Sequence, residues 1–454
     1  MNRPSAIALA LLTLWARSAA ADELWKGEDE KSVLELQGFY KSLGEYLALP
    51  NGLVQTANKA QALIPGSTPC PGGPACLPSS AGMATNTLRV WGRLALWGEL
   101  TLDAGWEVAA TTATPALGTG NSALGGGVSA GDTTAVAPGR RLVDFSPNLL
   151  DQSGNGLLIQ HNLDLLSVRI PVGKGELVVG RQVLSWGTGR FWNPTDLLSP
   201  FAPSDFDKEV RHGIDAVSLA LPLSETSLVD VIWLPQQKAA DQGGVVRAQT
   251  NLAGYDFSIS VAKYASDIVF GADTAGDIGP LGAHAEAGYT LGLSGLDSSG
   301  PITLSQQFLR AVAGLDWKPA SGWMVTGEYY YNGFGATNPA QYFLKMRDPL
   351  ETSGEVFGAA QHYVGVAAAW KTTELLTLNA SLIANVRDPS AILFPVAEYW
   401  FEQHVLVRFG AYIPLGKQPD PRAVTNVQNA AALGLRSEYG ASPAGLFAQV
   451  GLHF

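Results

Sequence analysis

The residues with the clearest chemical potential lie in one stretch, between residues 180 and 215. It contains Trp186-Gly187 and then Asn193-Pro194-Thr195-Asp196, and an acidic segment with arginines follows. Asn-Pro and Ser-Pro fix turns, and Asn193 and Asp196 are suited to capping the local backbone. The charged candidates here are Arg181, Arg190, Asp196, Asp205, Asp207, Lys208, Glu209 and Arg211.

Two interpretations fit such a charged loop. We expect Arg190 and Arg211 to pair with the acidic residues that follow, namely Asp205, Asp207 and Glu209. If the loop folds into a pore, its charges form a constriction that sets ion preference. In the alternative interpretation the cluster only braces the loop against a wall, and the two roles are compatible.

No catalytic or metal centre is indicated. The chain has 6 histidines, and none lies in a Gly-x-Ser-x-Gly or His-Glu-x-x-His context. The run from Gly271 to Asp277 is faintly similar to a calcium-binding repeat, but a single copy is more typical of a strand. We therefore expect no enzyme activity, no metal and no cofactor.

The N-terminus is typical of a secretory signal peptide. Arg3 precedes an apolar stretch from Ala6 to Leu14, and Ser18-Ala19-Ala20-Ala21 supplies a small-residue cleavage site. We predict that residues 1–21 are removed on export.

The charge composition excludes some partners. Charged residues make up 15% of the chain, whereas soluble domains usually carry about a quarter. Acidic residues outnumber basic ones, 40 to 29, which argues against nucleic acid as a partner.

The 2 cysteines, Cys70 and Cys76, lie in Cys-Pro-Gly-Gly-Pro-Ala-Cys. No histidine or acidic residue lies nearby to complete a metal site. An oxidising envelope compartment favours a disulfide that closes this short loop.

Many short runs of the chain alternate apolar and polar residues. This period of two predicts strands with one apolar and one polar face, and the arginines expected on polar faces are Arg89, Arg93, Arg310, Arg387 and Arg408. No apolar run after the leader reaches the roughly 18 residues of a transmembrane helix. An apolar exterior around a polar lumen is the pattern of a membrane barrel. The reverse arrangement suits lipocalin-like barrels, which have about eight strands, roughly half the number expected here.

Connection lengths give an independent test. Short joints alternate with a set that is mostly long, with predicted loops at 50–85, 113–155, 188–211, 292–304, 335–355 and 415–431. Outer-membrane barrels place short turns in the periplasm and long loops outside. The chain from residue 22 to residue 454 is therefore predicted to be all-β, a single transmembrane antiparallel barrel of about 18 strands, with 16 as the alternative.

The sequence defines the N-terminal part of the predicted barrel more clearly than its C-terminal part. Residues 22–33 are expected in the periplasm, and residues 34–49 form the candidate first strand, with a short helix as the alternative. Within residues 431–444, Arg436 to Tyr439 resembles a strand, and the start of the last strand stays open.

Two sequence features resemble bacterial outer-membrane barrels. The last strand alternates apolar and mainly polar residues and closes with Phe454, which resembles the C-terminal signal that the barrel-assembly machinery recognises. Trp186-Gly187 followed by Asn193-Pro194-Thr195-Asp196 resembles an element of large porin-like barrels, tightly over residues 176–216. The resemblance implies a barrel in contact with outer-membrane lipid and lipopolysaccharide, and it implies no particular substrate.

The leading hypothesis is an outer-membrane channel through which small solutes pass passively, narrowed by the 188–211 loop. One alternative is a dedicated uptake or export barrel for polysaccharide or an organic substrate. Another is a plugged barrel for surface interaction or scaffolding. Lumen charges of both signs do not decide between these, and the oligomeric state is left open.

Overall fold

The computed structural model describes residues 24–27, 31–63, 77–114, 141–143, 145, 147–152, 155–205, 209–238, 241–264, 266–294, 303–426 and 433–454. The predicted leader (1–21), Cys70, Cys76, Asp207 and Lys208 lie outside these residues.

Eighteen strands form the wall of the barrel. They are β1 (Val33–Ala48), β2 (Ser80–Leu96), β3 (Leu100–Ala113), β4 (Leu157–Val172), β5 (Gly175–Gln182), β6 (Ile214–Pro222), β7 (Ser227–Leu234), β8 (Gly243–Leu252), β9 (Tyr255–Tyr264), β10 (Asp267–Ile278), β11 (Leu281–Ser294), β12 (Thr303–Trp317), β13 (Trp323–Asn332), β14 (His362–Lys371), β15 (Leu376–Asn385), β16 (Ser390–Phe401), β17 (Val405–Leu415) and β18 (Ala444–His453). Two short strands, Trp25–Lys26 and Asn148–Gln152, pair with β1 and β4.

Each strand pairs antiparallel with its neighbours in the chain, and β18 pairs with both β17 and β1. The first and last strands therefore close the sheet, as predicted, so the eighteen described wall strands leave no free edge. The fold is all-β with 18 strands, which confirms the expected class and count.

The connections alternate in length around the barrel. One end carries short turns such as Ala253-Gly254, where both residues have positive φ, 54° and 86°. Two such residues make the turn whose twist matches that of paired strands. The other end, called the long-loop end, carries the connections 49–79, 183–213, 333–361 and 416–443.

Several predicted boundaries were wrong. The first long connection is shorter than 50–85, because β2 begins at Ser80, and it contains helix α1 (Asn51–Ala62). The connection predicted at 335–355 is longer, because β13 ends at Asn332 and β14 begins at His362. Residues 436–439 do not form a strand: a 3₁₀ turn, Tyr439–Ala441, precedes β18. The candidate first strand is a strand, not a helix.

The outer face of the wall is apolar. Leu309, Phe409 and Val450 expose 41%, 56% and 43% of their surface, whereas Arg310 and Gln449, which point inward, expose 3% and 5%. The predicted orientation of the two faces agrees with this pattern. Helices α2 (Tyr342–Met346) and α3 (Pro349–Thr352) are short, and no helix in the described ranges is long and apolar enough to cross a membrane.

Candidate functional site

The connection between β5 and β6, residues 183–213, lies inside the barrel, and we call it the crossing loop. Phe191, Trp192, Leu197 and Leu198 are all nearly fully buried in it. A turn that Asn193 and Pro194 begin is closed by the Asp196 amide, which donates to the Asn193 carbonyl over 3.1 Å. The loop is thus a compact element with its own apolar side chains, not a surface excursion.

Glu328, on the inner face of β13, holds the start of the crossing loop. Its carboxylate accepts hydrogen bonds from the backbone amides of Arg190, Phe191 (3.0 Å) and Trp192 (3.5 Å). Nε2 of His284 on β11 lies 2.8 Å from the same carboxylate. Several donors on one buried acceptor fix the position of the loop backbone.

Glu286, on β11, holds the next turn in the same way. Its carboxylate accepts from the Thr188 amide (2.9 Å), the Thr195 amide (2.6 Å) and the Thr195 hydroxyl (2.8 Å). The neighbouring inner position is Gly288, and a Cβ there would stand 2.8 Å from the Pro194 carbonyl oxygen. The wall is therefore shaped to receive the backbone of the loop.

Two arginines complete this contact. Arg190 pairs with Asp316 of β12 at 3.0 Å. Arg310, also on β12, donates to the Pro194 carbonyl over 2.9 Å and to the Glu355 carbonyl. Arg310 was predicted to line a lumen, but it is 3% exposed and connects two loops to the wall.

Aromatic packing adds an apolar component. The Trp192 ring stacks on Tyr330 of β13, with centroids 5.1 Å apart, and lies 5.9 Å from the Tyr363 ring of β14. At Gly365 a Cβ would meet the Phe191 ring at 2.7 Å. The missing side chain lets both aromatic rings lie against the wall.

The middle of the loop contacts a different part of the wall. Leu197 and Leu198 pack in a cluster with inward residues of β6 to β10, among them Ile214 and Ile232. Arg211 binds Asp196 at 2.6 Å and closes the loop on itself. Burial raises the pKa of Asp196, although Arg211 and the Ser185 hydroxyl act in the opposite direction.

The last part of the crossing loop, around Glu209, reaches a third part of the wall. Glu209 lies 2.7 Å from Nζ of Lys41 on β1 and 3.4 Å from Nδ1 of His453 on β18. Together with the contacts to β11–β14 and β6–β10, this means that the loop crosses the lumen from side to side.

The lumen therefore has two unlike sides. On the packed side, inward residues of β12 to β18 and β1 form one apolar cluster with the crossing loop and with residues from the 333–361 and 416–443 connections. Its members include Tyr330, Tyr342, Tyr363, Tyr412 and Phe447, each at most 2% exposed. This side is filled like the interior of a soluble protein.

On the open side, a cavity of about 760 Å³ lies between the crossing loop and the inner faces of β2 to β8. Its lining includes both charged and aromatic side chains, among them Arg89, Arg93, Asp103, Arg169, Glu176, Asp230, Arg247, Trp91 and Phe201. The loop contributes Trp186, Glu209 and Arg211 to the same lining.

The charges of the open side differ in exposure. Arg93 and Arg169 expose 44% and 38% of their side chains, while Asp103, which both contact, exposes 7%. Asp164 is the extra residue of a β-bulge in β4, and it binds Arg89 at 2.7 Å from a fully buried position. Several arginines thus face the cavity with their partner carboxylates behind them, although Glu176 is 46% exposed.

The structure places the remaining predicted residues as follows. Arg181 binds Asp215 of β6 at 2.7 Å, and Asp205 accepts from the Ala202 amide over 2.9 Å. Arg408 pairs with Glu398 inside the barrel at 3.0 Å. Arg387, predicted on a lumen face, is exposed in the 386–389 connection because β15 ends at Asn385.

The structure gives two arginines partners that the sequence did not indicate. Arg190 binds Asp316 and Arg211 binds Asp196. Asp207 lies outside the described residues, so its expected pairing with these arginines stays a prediction. Glu286 and Glu328 were missed as loop contacts. Their position on the polar face of a strand was a usable signal, but nothing local indicated what they would bind.

Comparisons with known proteins support the fold. No protein-family model matches the chain, and no curated protein matches it in sequence. The chain is similar in structure to OccAB3 of Acinetobacter baumannii, with a TM-score of 0.52 and 8% identity over 93% of this chain and 99% of that chain. OccAB4 of the same species gives 0.49 and 9%, over 94% and 100%, and a triple mutant of the Rhodopseudomonas blastica porin gives 0.40 and 11%, over 93% and 100%.

Proposed function

We propose that the protein is a bacterial outer-membrane channel through which small solutes pass passively. The apolar exterior of a closed 18-stranded barrel suits a lipid environment, because closure satisfies all backbone hydrogen bonds of the sheet. The predicted signal peptide fits this location, with export followed by insertion through the terminal strand. OccAB3 has the same kind of fold, and the function is proposed here from the lumen of this chain.

The observation that carries the proposal is the division of the lumen by the crossing loop. The loop is held by Glu286 and Glu328 on one wall and by Lys41 on the opposite seam. A polar cavity between described residues lies on the open side. Solutes would pass there, between the loop and β2 to β8, so the loop sets the width of the passage.

The same side favours anions over cations. Arg93, Arg169 and Arg211 present their guanidinium groups to the cavity at 26% to 44% exposure. Asp103 and Asp196 are at most 7% exposed, whereas Glu176 and Glu209 of the same lining are 46% and 33% exposed. Among the described residues, five arginines and four acidic residues line the cavity, so its net charge is positive by one, and charges that line a passage set selectivity.

The test is ion conductance of the folded, purified protein in a planar bilayer. We expect stable single-channel currents, and a reversal potential in a salt gradient that indicates anion preference. Absence of current from protein that is folded by its heat-shifted gel mobility would overturn the channel proposal. A reversal potential that indicates cation preference would overturn the proposed anion preference but not the channel function.

A second candidate is a closed barrel whose loops bind a partner at the surface. The filled packed side favours it, because much of the lumen there holds side chains and not water. The same bilayer measurement separates the two, since a closed barrel carries no current.

A further inference from the structure

Three connections of the long-loop end meet at one buried group of carboxyls. They are residues 333–361, residues 386–389 and residues 433–443. Glu438, from the last of these, accepts from the Ala359 amide of the first over 3.1 Å. Its own amide donates to Asp388 of the second over 2.7 Å. A single pair of side chains thus joins all three segments.

The wall also contributes to this group. The Tyr363 hydroxyl of β14 donates to Glu438 over 2.6 Å, and the Asn385 amide group of β15 donates over 2.7 Å. Asn385 also donates to Asp388 over 3.1 Å. Asp388 and Glu438 are 8% and 7% exposed.

Positive charge is lacking at this junction. Among the described residues, no lysine or arginine forms an ion pair with Glu438, Asp388 or Glu351. The titratable groups that face Glu438 and Asp388 are Glu351 and Asp348 from helix α3 and its cap, and the tyrosines Tyr342, Tyr363 and Tyr439. Arg387 lies beside Asp388 in the chain and acts on Tyr342. Burial and the neighbouring carboxyls disfavour the ionised form of Glu438, while the hydrogen bonds from Tyr363, Ala359 and Asn385 act in the opposite direction.

We propose that Glu438 and Asp388 form a pH-sensitive lock that keeps the 333–361 and 433–443 segments inside the mouth of the barrel and releases them when the group ionises. The segments held this way supply Tyr342, Ala359, Ala360 and Leu435 to the packed side. Release would open that side to water and enlarge the water-filled part of the lumen.

The direction of the pH effect follows from burial. Burial raises the pKa of Glu438 to about 7 and that of Glu351 to about 8. A group whose pKa is raised in the folded state stabilises that state below its ordinary value and loses the contribution as pH rises through the folded value. The lock is therefore closed in acid and opens as the pH rises through about 7, where Glu438 ionises.

The first readout is hydrogen exchange of the Ala359 and Ala360 amides, corrected for the intrinsic effect of pH. In the folded protein we expect protection at about pH 5 and its loss at about pH 9. The variant Glu438→Gln with Asp388→Asn, which cannot ionise, should lose this pH-dependent step. Glu374→Gln, at an exposed turn of the short-turn end, is the matched control and should keep it.

The second readout is conductance, and it rests on the proposed channel function. Wild-type conductance should rise over the same pH range, and the rise should disappear in the double variant but not in the control. Unchanged exchange protection across the range, or a pH step that survives in the folded double variant, would overturn the lock. Zero current at every pH with the exchange step intact would overturn the channel function and the gating, and leave the lock itself standing.

Discussion

The two sides of the lumen are built from the same kind of strand, but one side is filled with side chains and the other contains a cavity. On the packed side, Trp192 and the tyrosines of β13 and β14 fill the space between loop and wall with apolar contacts. On the open side, Arg93 and Arg169 stand in a cavity of about 760 Å³. A polar inner face therefore does not by itself produce a pore. A pore remains only where no other side chains fill the space in front of that face.

The largest expected effect is on the packed side. Trp192→Ala removes a ring that is 3% exposed and stacked on Tyr330, and should lower the free energy of unfolding by about 4 kcal/mol. Trp91→Ala, on the cavity lining, should cost about 1 kcal/mol or less, because its ring is not packed on all sides. Guanidinium unfolding followed by circular dichroism measures both. Equal costs would contradict the contrast between the two sides.

The next effect is on the position of the crossing loop. Glu328→Ala leaves three backbone amides of residues 190–192 without their acceptor, at a cost of about 3 kcal/mol. If the loop narrows the passage, single-channel conductance should rise and become noisier. Glu374→Ala is the control at an exposed position. A less stable barrel with unchanged conductance would mean that the contact only braces the loop.

A smaller effect is expected on selectivity. Removal of one exposed guanidinium, by Arg93→Ala or Arg169→Ala, should lower anion preference by roughly twofold, the order of a single charge acting through water. The reversal potential in a salt gradient measures this. Lys371→Ala, in an exposed pair at the short-turn end, should leave it unchanged. No shift in either arginine variant would mean that solutes do not pass along the open side.

The smallest effect on stability is expected at Arg190. Its side chain is 50% exposed, so its pair with Asp316 should contribute less than about 1 kcal/mol. Arg190→Ala should therefore change selectivity or conductance more clearly than unfolding. A large loss of stability with no electrical change would assign Arg190 to bracing.

Much of the fold was predictable because the alternation of apolar and polar residues within a strand indicates on which face each side chain lies. In residues 309–317, Leu309, Ala311, Ala313, Leu315 and Trp317 share one face and Arg310 and Asp316 the other, and in the structure Leu309 is exposed and Arg310 buried. The alternation of short and long connections predicted that β18 would pair with β1 and close the barrel. The weak points were segments with mixed signals, such as residues 436–439, which do not form a strand because the chain turns at Tyr439.

The candidate site was predictable only in outline. The unusual turn residues of 188–211 identified the loop, but nothing in the sequence indicated that Arg190 would bind Asp316, which is 126 positions away. Charge pairs depend on which side chains meet in space, and sequence proximity is a poor guide to that. Arg387 was misassigned because the alternation continued past the end of its strand.

The alternation of residues and the lengths of the connections predicted a closed barrel of about 18 strands and the orientation of most of its faces, because both patterns act over a few residues. Only the tertiary structure determined which residues meet inside the lumen. Glu328 and the Phe191 amide are 137 positions apart, and Glu438 and Asp388 are 50 apart. No local pattern encodes such contacts, since they arise only when closure of the wall brings distant loops into one confined space.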